Sequence, residues 1–159
     1  MRVLGIDPGS HVTGYGLVDH EKGGLKVVAY GEIRPARGAR LTACLKAIHE
    51  RLQEIVAEHR PDALAVEDIF YGKNVKSLIR QGHVRGVTLL TGALAGVAVY
   101  AYSPLEVKQA VVGYGRAEKP QVQRMVMAIL GLVDVPPEDA ADALAVAICH
   151  AHTRKDPPA

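Results

Sequence analysis

An apolar run that stops at a carboxylate occurs twice in this chain, and an amphipathic segment lies between the two copies. Leu4-Gly5-Ile6-Asp7 is closed by Pro8-Gly9-Ser10, and Asp62-Ala63-Leu64-Ala65-Val66-Glu67 ends in the second acid. Short apolar runs bounded by Gly and Pro read as buried strands. Pro8 also holds the residue before it extended, which places Asp7 at a strand's carboxyl end. Leu41, Leu45, Ile48, Leu52 and Ile55 recur at three- and four-residue spacing and predict a helix ending near His59-Arg60-Pro61. Strand, helix and strand in that order form a crossover, so the second strand runs parallel to an earlier one. With the first strand as its partner, Asp7 and Glu67 leave the sheet side by side, at the edge where α/β proteins bind ligands.

Taken singly, these acids have plainer explanations. An Asp after a strand commonly caps a turn, and Glu138, Asp139 and Asp142 favour the positive end of the dipole of the helix they begin. Asp142 fits that explanation poorly, because a nearly continuous apolar run follows it and it points where a core should be. Asp139 and Asp142 are three apart and share a helix face, with Cβ atoms roughly 5–6 Å apart. Unpaired carboxylates about 4 Å apart repel by about 4 kcal/mol per pair at an effective dielectric of 20, so a cluster of such acids needs cations. Oxygen-only donors suit Mg²⁺ or Mn²⁺ rather than zinc, and two such ions are the apparatus of in-line phosphoryl displacement.

The remaining elements complete an α/β order. Val12 to Asp19 and Leu25 to Ile33 read as strands joined by the turn Glu21-Lys22-Gly23-Gly24, giving an antiparallel meander with the first strand. Gly14 and Gly16 lie on one face of the second strand, where another backbone or a phosphate can come close. Val75 to Ala95 is a second helix, with Gly82 and Gly86 one turn apart and Gly92 and Gly96 likewise. Its apolar residues Val75, Leu78, Ile79, Val87, Leu90 and Leu94 suit either packing on the sheet or a dimer contact. Val97 to Tyr100 is the fifth strand. Ser103-Pro104-Leu105-Glu106 starts a helix with an N-cap, a first-turn Pro and a capping Glu. Val122, Met125, Val126, Ile129 and Leu130 mark another helix, and Glu138 to about His150 an alanine-rich last one able to lie close to the sheet. A five-stranded mixed sheet flanked by helices follows, in one domain over residues 1–153 with a flexible tail at 154–159.

Net charge is +2 overall but unevenly spread: residues 1–70 carry −1, residues 71–130 carry +6 and residues 131–159 carry −3. Lys73, Lys76, Arg80, Arg85, Lys108, Arg116, Lys119 and Arg124 supply the basic middle, which serves either as a polyanion surface or as solvated helix faces. Phe70 and Tyr71 are two of only seven aromatics and sit between Glu67 and Lys73, where exposed rings could stack on unpaired bases. Cys44 and Cys149 fall on apolar helical patterns and read as buried free thiols, which suits a reducing, cytoplasmic compartment. No signal segment is evident, and the longest apolar region, Val87 to Tyr102, is too short and interrupted to span a bilayer, so a membrane role is not expected.

Linked motifs over nearly the whole chain resemble Holliday-junction resolvases of the RuvC family. They are Gly5-Ile6-Asp7-Pro8-Gly9-Ser10 with Thr13-Gly14-Tyr15-Gly16, Ala65-Val66-Glu67, Val107-Lys108-Gln109 with Val112-Gly113, Ala117-Glu118-Lys119, and Asp139-Ala140-Ala141-Asp142-Ala143-Leu144-Ala145. The resemblance implies an RNase H-like fold and a homodimer. It also implies Mg²⁺- or Mn²⁺-dependent symmetric nicking of four-way DNA junctions, with two ions per active site, beside a branch-migration motor complex. It places metal-binding catalytic acids at Asp7, Glu67, Asp139 and Asp142, DNA contacts at Lys108 and Lys119, and a junction-probing aromatic at Phe70. Tyr71, Lys73, Lys76, Arg80 and Arg116 are further candidate DNA contacts. Some relatives have His at the position of Asp139, which leaves open whether this Asp binds metal directly or through water. Two other classes share features: actin-like or sugar-kinase ATPases, whose phosphate loop also reads Asp-x-Gly-Ser, and a non-catalytic junction-binding module. The first needs a second domain for which this chain has no room; the second leaves four acids at the ends of separate elements unexplained.

Overall fold

The computed structural model describes residues 1–69, 71–72 and 74–153; Phe70, Lys73 and the tail 154–159 lie outside them. Five strands, β1 (Arg2–Pro8), β2 (Thr13–Glu21), β3 (Gly24–Ile33), β4 (Ala63–Glu67) and β5 (Ala98–Tyr102), form one mixed sheet in the order β3-β2-β1-β4-β5. The meander is antiparallel, with Asp7 opposite Gly14 and Gly14 opposite Glu32. β4 lies parallel to β1, with Ile6 beside Val66, so Asp7 and Glu67 are the next residues of two adjacent strands. This is the crossover expected from the change of hydrophobic period between residues 7 and 63.

Helices cover both faces of the sheet. The side chains Leu4, Ile6, Leu17, Leu64 and Val66 pack against α1 (Leu41–His59) and α2 (Val75–Leu94). Val3, Val18, Ala65 and Tyr102 pack on the other face, against α3 (Pro104–Val112), α4 (Lys119–Leu130) and α5 (Glu138–Thr153). Alternation along a strand decides which face each acid joins. Gly5 and Asp7 are two apart in β1, as are Ala65 and Glu67 in β4, so both acids face the α5 side.

α5 is the most buried helix: Ala140, Ala141 and every residue from Ala143 to Ala151 are buried. The sheet admits it because its contact surface lacks side chains. A Cβ on Gly5 would meet the Ala143 carbonyl oxygen and the Ala147 nitrogen and Cβ, the latter two at 2.8 and 2.9 Å; one on Gly14 would strike the Asp139 backbone; one on Gly16 would strike Leu144. Gly14 and Gly16 therefore serve the close approach of a helix. α3 begins with the expected capping box, in which Glu106 N–H donates to Ser103 Oγ at 3.2 Å and Ser103 N–H donates to the Glu106 carboxylate at 2.7 Å.

One small-residue pair differs from expectation. Gly96 is not on the helix with Gly92 but follows its end with φ 69°, the left-handed conformation that stops α2. Gly92 packs on Val99 and Leu64, whereas Gly86 has open space beside it. Val75, Ile79, Leu90 and Leu94 are exposed along α2. Cys44 and Cys149 are both buried. No helix of the described residues is long and apolar enough to cross a membrane.

Candidate functional site

The acids converge where the carboxyl ends of β1 and β4 meet the first turn of α5. Carboxylate oxygens of Asp7, Asp139 and Asp142 all lie within 4.8 Å of one another, and Glu67 shares a hydrogen bond with Asp7. Gly14 makes this possible. Because β2 carries no side chain at that point, the backbone of Asp139 comes down onto the sheet beside Asp7.

Crowding shifts the protonation of every acid in the cluster. Burial first, then the charges of Glu67, Asp142 and Asp139, pushes Asp7 up to about 9. Burial and the charge of Asp142 push Glu67 up to about 7, against the hydrogen bond from Asp7 and the nearby Lys119 and Lys108. Asp142 is raised by burial despite its bond from Lys119. Asp139 is raised by burial and then by Glu32, whose carboxylate approaches from β3. Like-charged, half-buried oxygens with this spacing form a donor set for hard divalent cations, and nothing in the set favours zinc.

Lys119 is the cation already at this cluster. Its Nζ lies 2.6 Å from a Glu138 oxygen and 3.1 Å from an Asp142 oxygen. Burial opposes its charge, but those two bonds prevail and hold the ammonium above the ordinary lysine range. Lys119 stands on the divide between two adjoining hollows. One is lined by Asp7, Glu67, Asp139 and Asp142, the other by Glu67, Lys108 and Asp142. Lys108 thus reaches the acids from α3, and Lys119 from the start of α4.

The other basic candidates are distributed differently. Arg80 Nε donates to the Ser10 carbonyl and its Nη2 to Cys44 Sγ at 3.5 Å, so its guanidinium is engaged with the loop after β1. Arg85 pairs with Asp68 at 2.5 Å, and Arg124 Nε donates to the Pro120 carbonyl at 3.4 Å. Lys76 and Arg116 are exposed. Tyr71 is 86 % exposed, which excludes a core role for it. Phe70 and Lys73 lie outside the described residues. Three contributors escaped sequence reasoning: Glu32, Gln81, which lines the acid-bearing hollow, and Glu138 as the partner of Lys119. Glu32 carried one sequence signal, an acid within the last residues of an apolar strand, and in the structure its side chain is only 11 % exposed.

The shifts predict how stability without metal depends on pH. Between the ordinary carboxylate range and about 9 the folded chain keeps a proton on Asp7 that the unfolded chain has released. Stability therefore falls as pH rises through that interval. Asp7→Asn removes the proton and the repulsion together. In chelator at pH 8.5 it should melt above the parent by roughly 4–8 °C, on the order of 2 kcal/mol, and the gap should close toward pH 5. Parallel melting curves across the range would contradict this.

Residues 3–150 match the family described as "Crossover junction endodeoxyribonuclease RuvC". The protein of that name from Syntrophomonas wolfei is 54 % identical over 154 residues, covering 96 % of this chain and 90 % of that protein. The one from Caldanaerobacter subterraneus subsp. tengcongensis is 49 % identical, covering 96 % and 93 %. Among solved structures, T. thermophilus RuvC in complex with Holliday junction substrate superposes with a TM-score of 0.90 at 36 % identity, covering 97 % of this chain and 94 % of that one. The five-stranded sheet with its flanking helices is therefore an RNase H-like α/β fold.

Proposed function

The chain belongs to the RuvC family of crossover junction endodeoxyribonucleases, and from that premise we propose how its acids, cations and exposed helix divide the work. It is a Holliday-junction resolvase, an endonuclease that hydrolyses phosphodiester bonds in four-way DNA. An ATPase or a purely binding module finds no support beside this family. The observation that carries the site reading is the meeting of Asp7, Asp139 and Asp142 within 4.8 Å, with Glu67 bonded to Asp7.

Those four residues hold Mg²⁺ or Mn²⁺, two ions per site, and residues 1–153 act as one nuclease domain. When bound, the ions neutralise the carboxylates and stabilise charge on the phosphate undergoing displacement. Glu67 and Asp7 meet them from the sheet and Asp142 from α5, while Asp139, at the rim beside Glu32, is the least committed member. Lys108 and Lys119 contact the backbone of the cut strand. Phe70, beside the exposed Tyr71, probes the unpaired bases at the crossover, and Lys73, Lys76 and Arg116 extend the contact, while Arg80 braces the loop after β1. The protein acts in the cytoplasm, with a branch-migration motor complex as partner.

A junction must be cut in two strands of like sequence, so the working form is a homodimer. Val75, Ile79, Leu90 and Leu94 are 56–67 % exposed on α2, with open space at Gly86 between them, and a second copy of α2 would cover them. Sedimentation should show a dimer at micromolar concentration, and Ile79→Glu should convert it to monomer. A parent protein that sediments only as monomer would refute this. The activity itself is tested by incubating a four-way junction, and a linear duplex of the same sequence, with and without Mg²⁺. Paired symmetric nicks should appear only in the junction and only with the metal. Equal cutting of the linear duplex would overturn the reading.

A further inference from the structure

A second groove, about 490 Å³ in volume, adjoins the acid-bearing hollow and shares His11 and Val12 with it. Its lining contains Arg34, Arg37 and Arg80 and no carboxylate. The loop that forms its outer wall reads Arg34-Pro35-Ala36-Arg37-Gly38-Ala39, with Arg40 next in the chain, and from residue 34 to residue 49 the chain carries four Lys or Arg and no acid. The charge count over residues 1–70 conceals this run, because the acids before and after it cancel it.

The groove is a built feature of the fold. Arg34 is aimed by Glu32, whose carboxylate accepts from Nε at 3.0 Å and Nη2 at 2.6 Å. Ala39 N–H donates to the Ala36 carbonyl at 3.1 Å and Gly38 takes φ 76°, which turns the chain tightly and leaves Arg37 exposed at the corner. Arg80 ties the floor to the Ser10 carbonyl, in the loop directly after Asp7. Ala39 and Cys44, on either side of the start of α1, also line the groove. The N-cap of that helix, Arg40, makes no side-chain cap and no acid lies in the first turn, so its first N–H groups and positive dipole end reinforce the arginines.

We propose that this groove is a phosphate-backbone subsite, which holds the DNA strand on one side of the scissile phosphate, with Arg37, which lines it, and Arg40, exposed beside it at the N-cap of α1, as its principal electrostatic contacts. Guanidinium groups match phosphate oxygens through paired N–H donors. Continuity with the acids through His11 and Val12 makes the occupant the same strand that is cut, rather than an acidic protein. The subsite rests on the junction-cutting reading.

The test is the salt dependence of junction binding in chelator, for the parent, for Arg37→Ala/Arg40→Ala and for Lys22→Ala/Lys26→Ala. The last pair removes the same charge from the turn between β2 and β3 and the start of β3, at the opposite end of the sheet. Each lost phosphate contact lowers the slope of log K against log salt by about 0.9. The arginine pair should lower it by roughly 1–2 and weaken binding about tenfold near 0.1 M salt, with melting unchanged, while the lysine pair leaves the slope as it is. A parent that prefers junction to linear duplex, together with an arginine pair whose slope equals the parent's, would overturn the subsite and leave the nuclease reading standing. An arginine pair that loses only stimulation by an acidic protein partner would overturn the subsite in the same way. A parent with no preference for the junction would overturn both.

Discussion

Asp7→Asn, Glu67→Gln and Asp142→Asn are each expected to lower cleavage by more than about a thousandfold at Mg²⁺ levels that saturate the parent, while binding a four-way junction at least as tightly when metal is absent. The amides preserve shape and take away an anionic metal donor; Glu67→Gln and Asp142→Asn also remove negative charge when metal is absent, whereas Asp7 then already carries a proton. The cage then loses cation affinity, while its repulsion of the DNA phosphate without metal falls for Glu67→Gln and Asp142→Asn and stays as it is for Asp7→Asn. Loss of several kcal/mol of charge stabilisation corresponds to a rate effect of that size, since each 1.36 kcal/mol is about tenfold. Asp139→Asn should be the mildest of the four, because Asp142 lies one helical turn away and Asp139 sits at the rim. Gel-shift and nicking series on one synthetic junction check both halves. Amide variants that lose binding and cleavage together, with the fold intact, would show that the acids do not form a metal cage.

Gly5→Ala is expected to destabilise the protein by about 3 kcal/mol or more, lowering the melting midpoint by roughly 10 °C, although it adds a single methyl group. Its Cβ would run into backbone of α5, the Ala143 carbonyl oxygen and the Ala147 nitrogen, and backbone cannot rotate aside as a side chain can. α5 must move off the sheet, taking Asp139 and Asp142 away from Asp7, so metal binding should weaken along with stability. Gly23→Ala, in the β2–β3 turn with nothing within 4 Å of the added atom, is the matched control and should be near neutral. A Gly5→Ala protein that melts with the parent would mean that the contact between sheet and helix is looser than described.

Much of this architecture was legible because hydrophobic period and strand parity are local properties of the chain. The alternation that turns Leu4 and Ile6 to one face turns Gly5 and Asp7 to the other, and the crossover from α1 to β4 brings Glu67 beside Asp7. The alanine run of α5 likewise foretold a helix pressed close to a sheet. What was not legible depends on partners far apart in sequence. Whether an arginine faces solvent or donates to a distant carbonyl is set by the fold, and Arg80 with Ser10 and Arg85 with Asp68 are such cases. Glu32 joins the site only because β3 pairs with β2 at Gly14. The position of Gly96 escaped for a different reason: a helix end is decided by one left-handed residue, which spacing does not reveal. The arginines of residues 34–40 were visible, but a charge count taken over too long a stretch averaged them away.

The claim that Asp7, Glu67, Asp139 and Asp142 act as one metal site is tested most directly by anomalous diffraction from crystals soaked in Mn²⁺. The geometry predicts Mn²⁺ peaks between the ends of β1 and β4 and the first turn of α5. Carboxylate oxygens of Asp7, Glu67 and Asp142 should lie within about 2.0–2.6 Å of an ion, and Lys119 should be displaced from Asp142. Absence of a peak there, in crystals whose Mn²⁺ concentration supports cleavage in solution, would contradict the account.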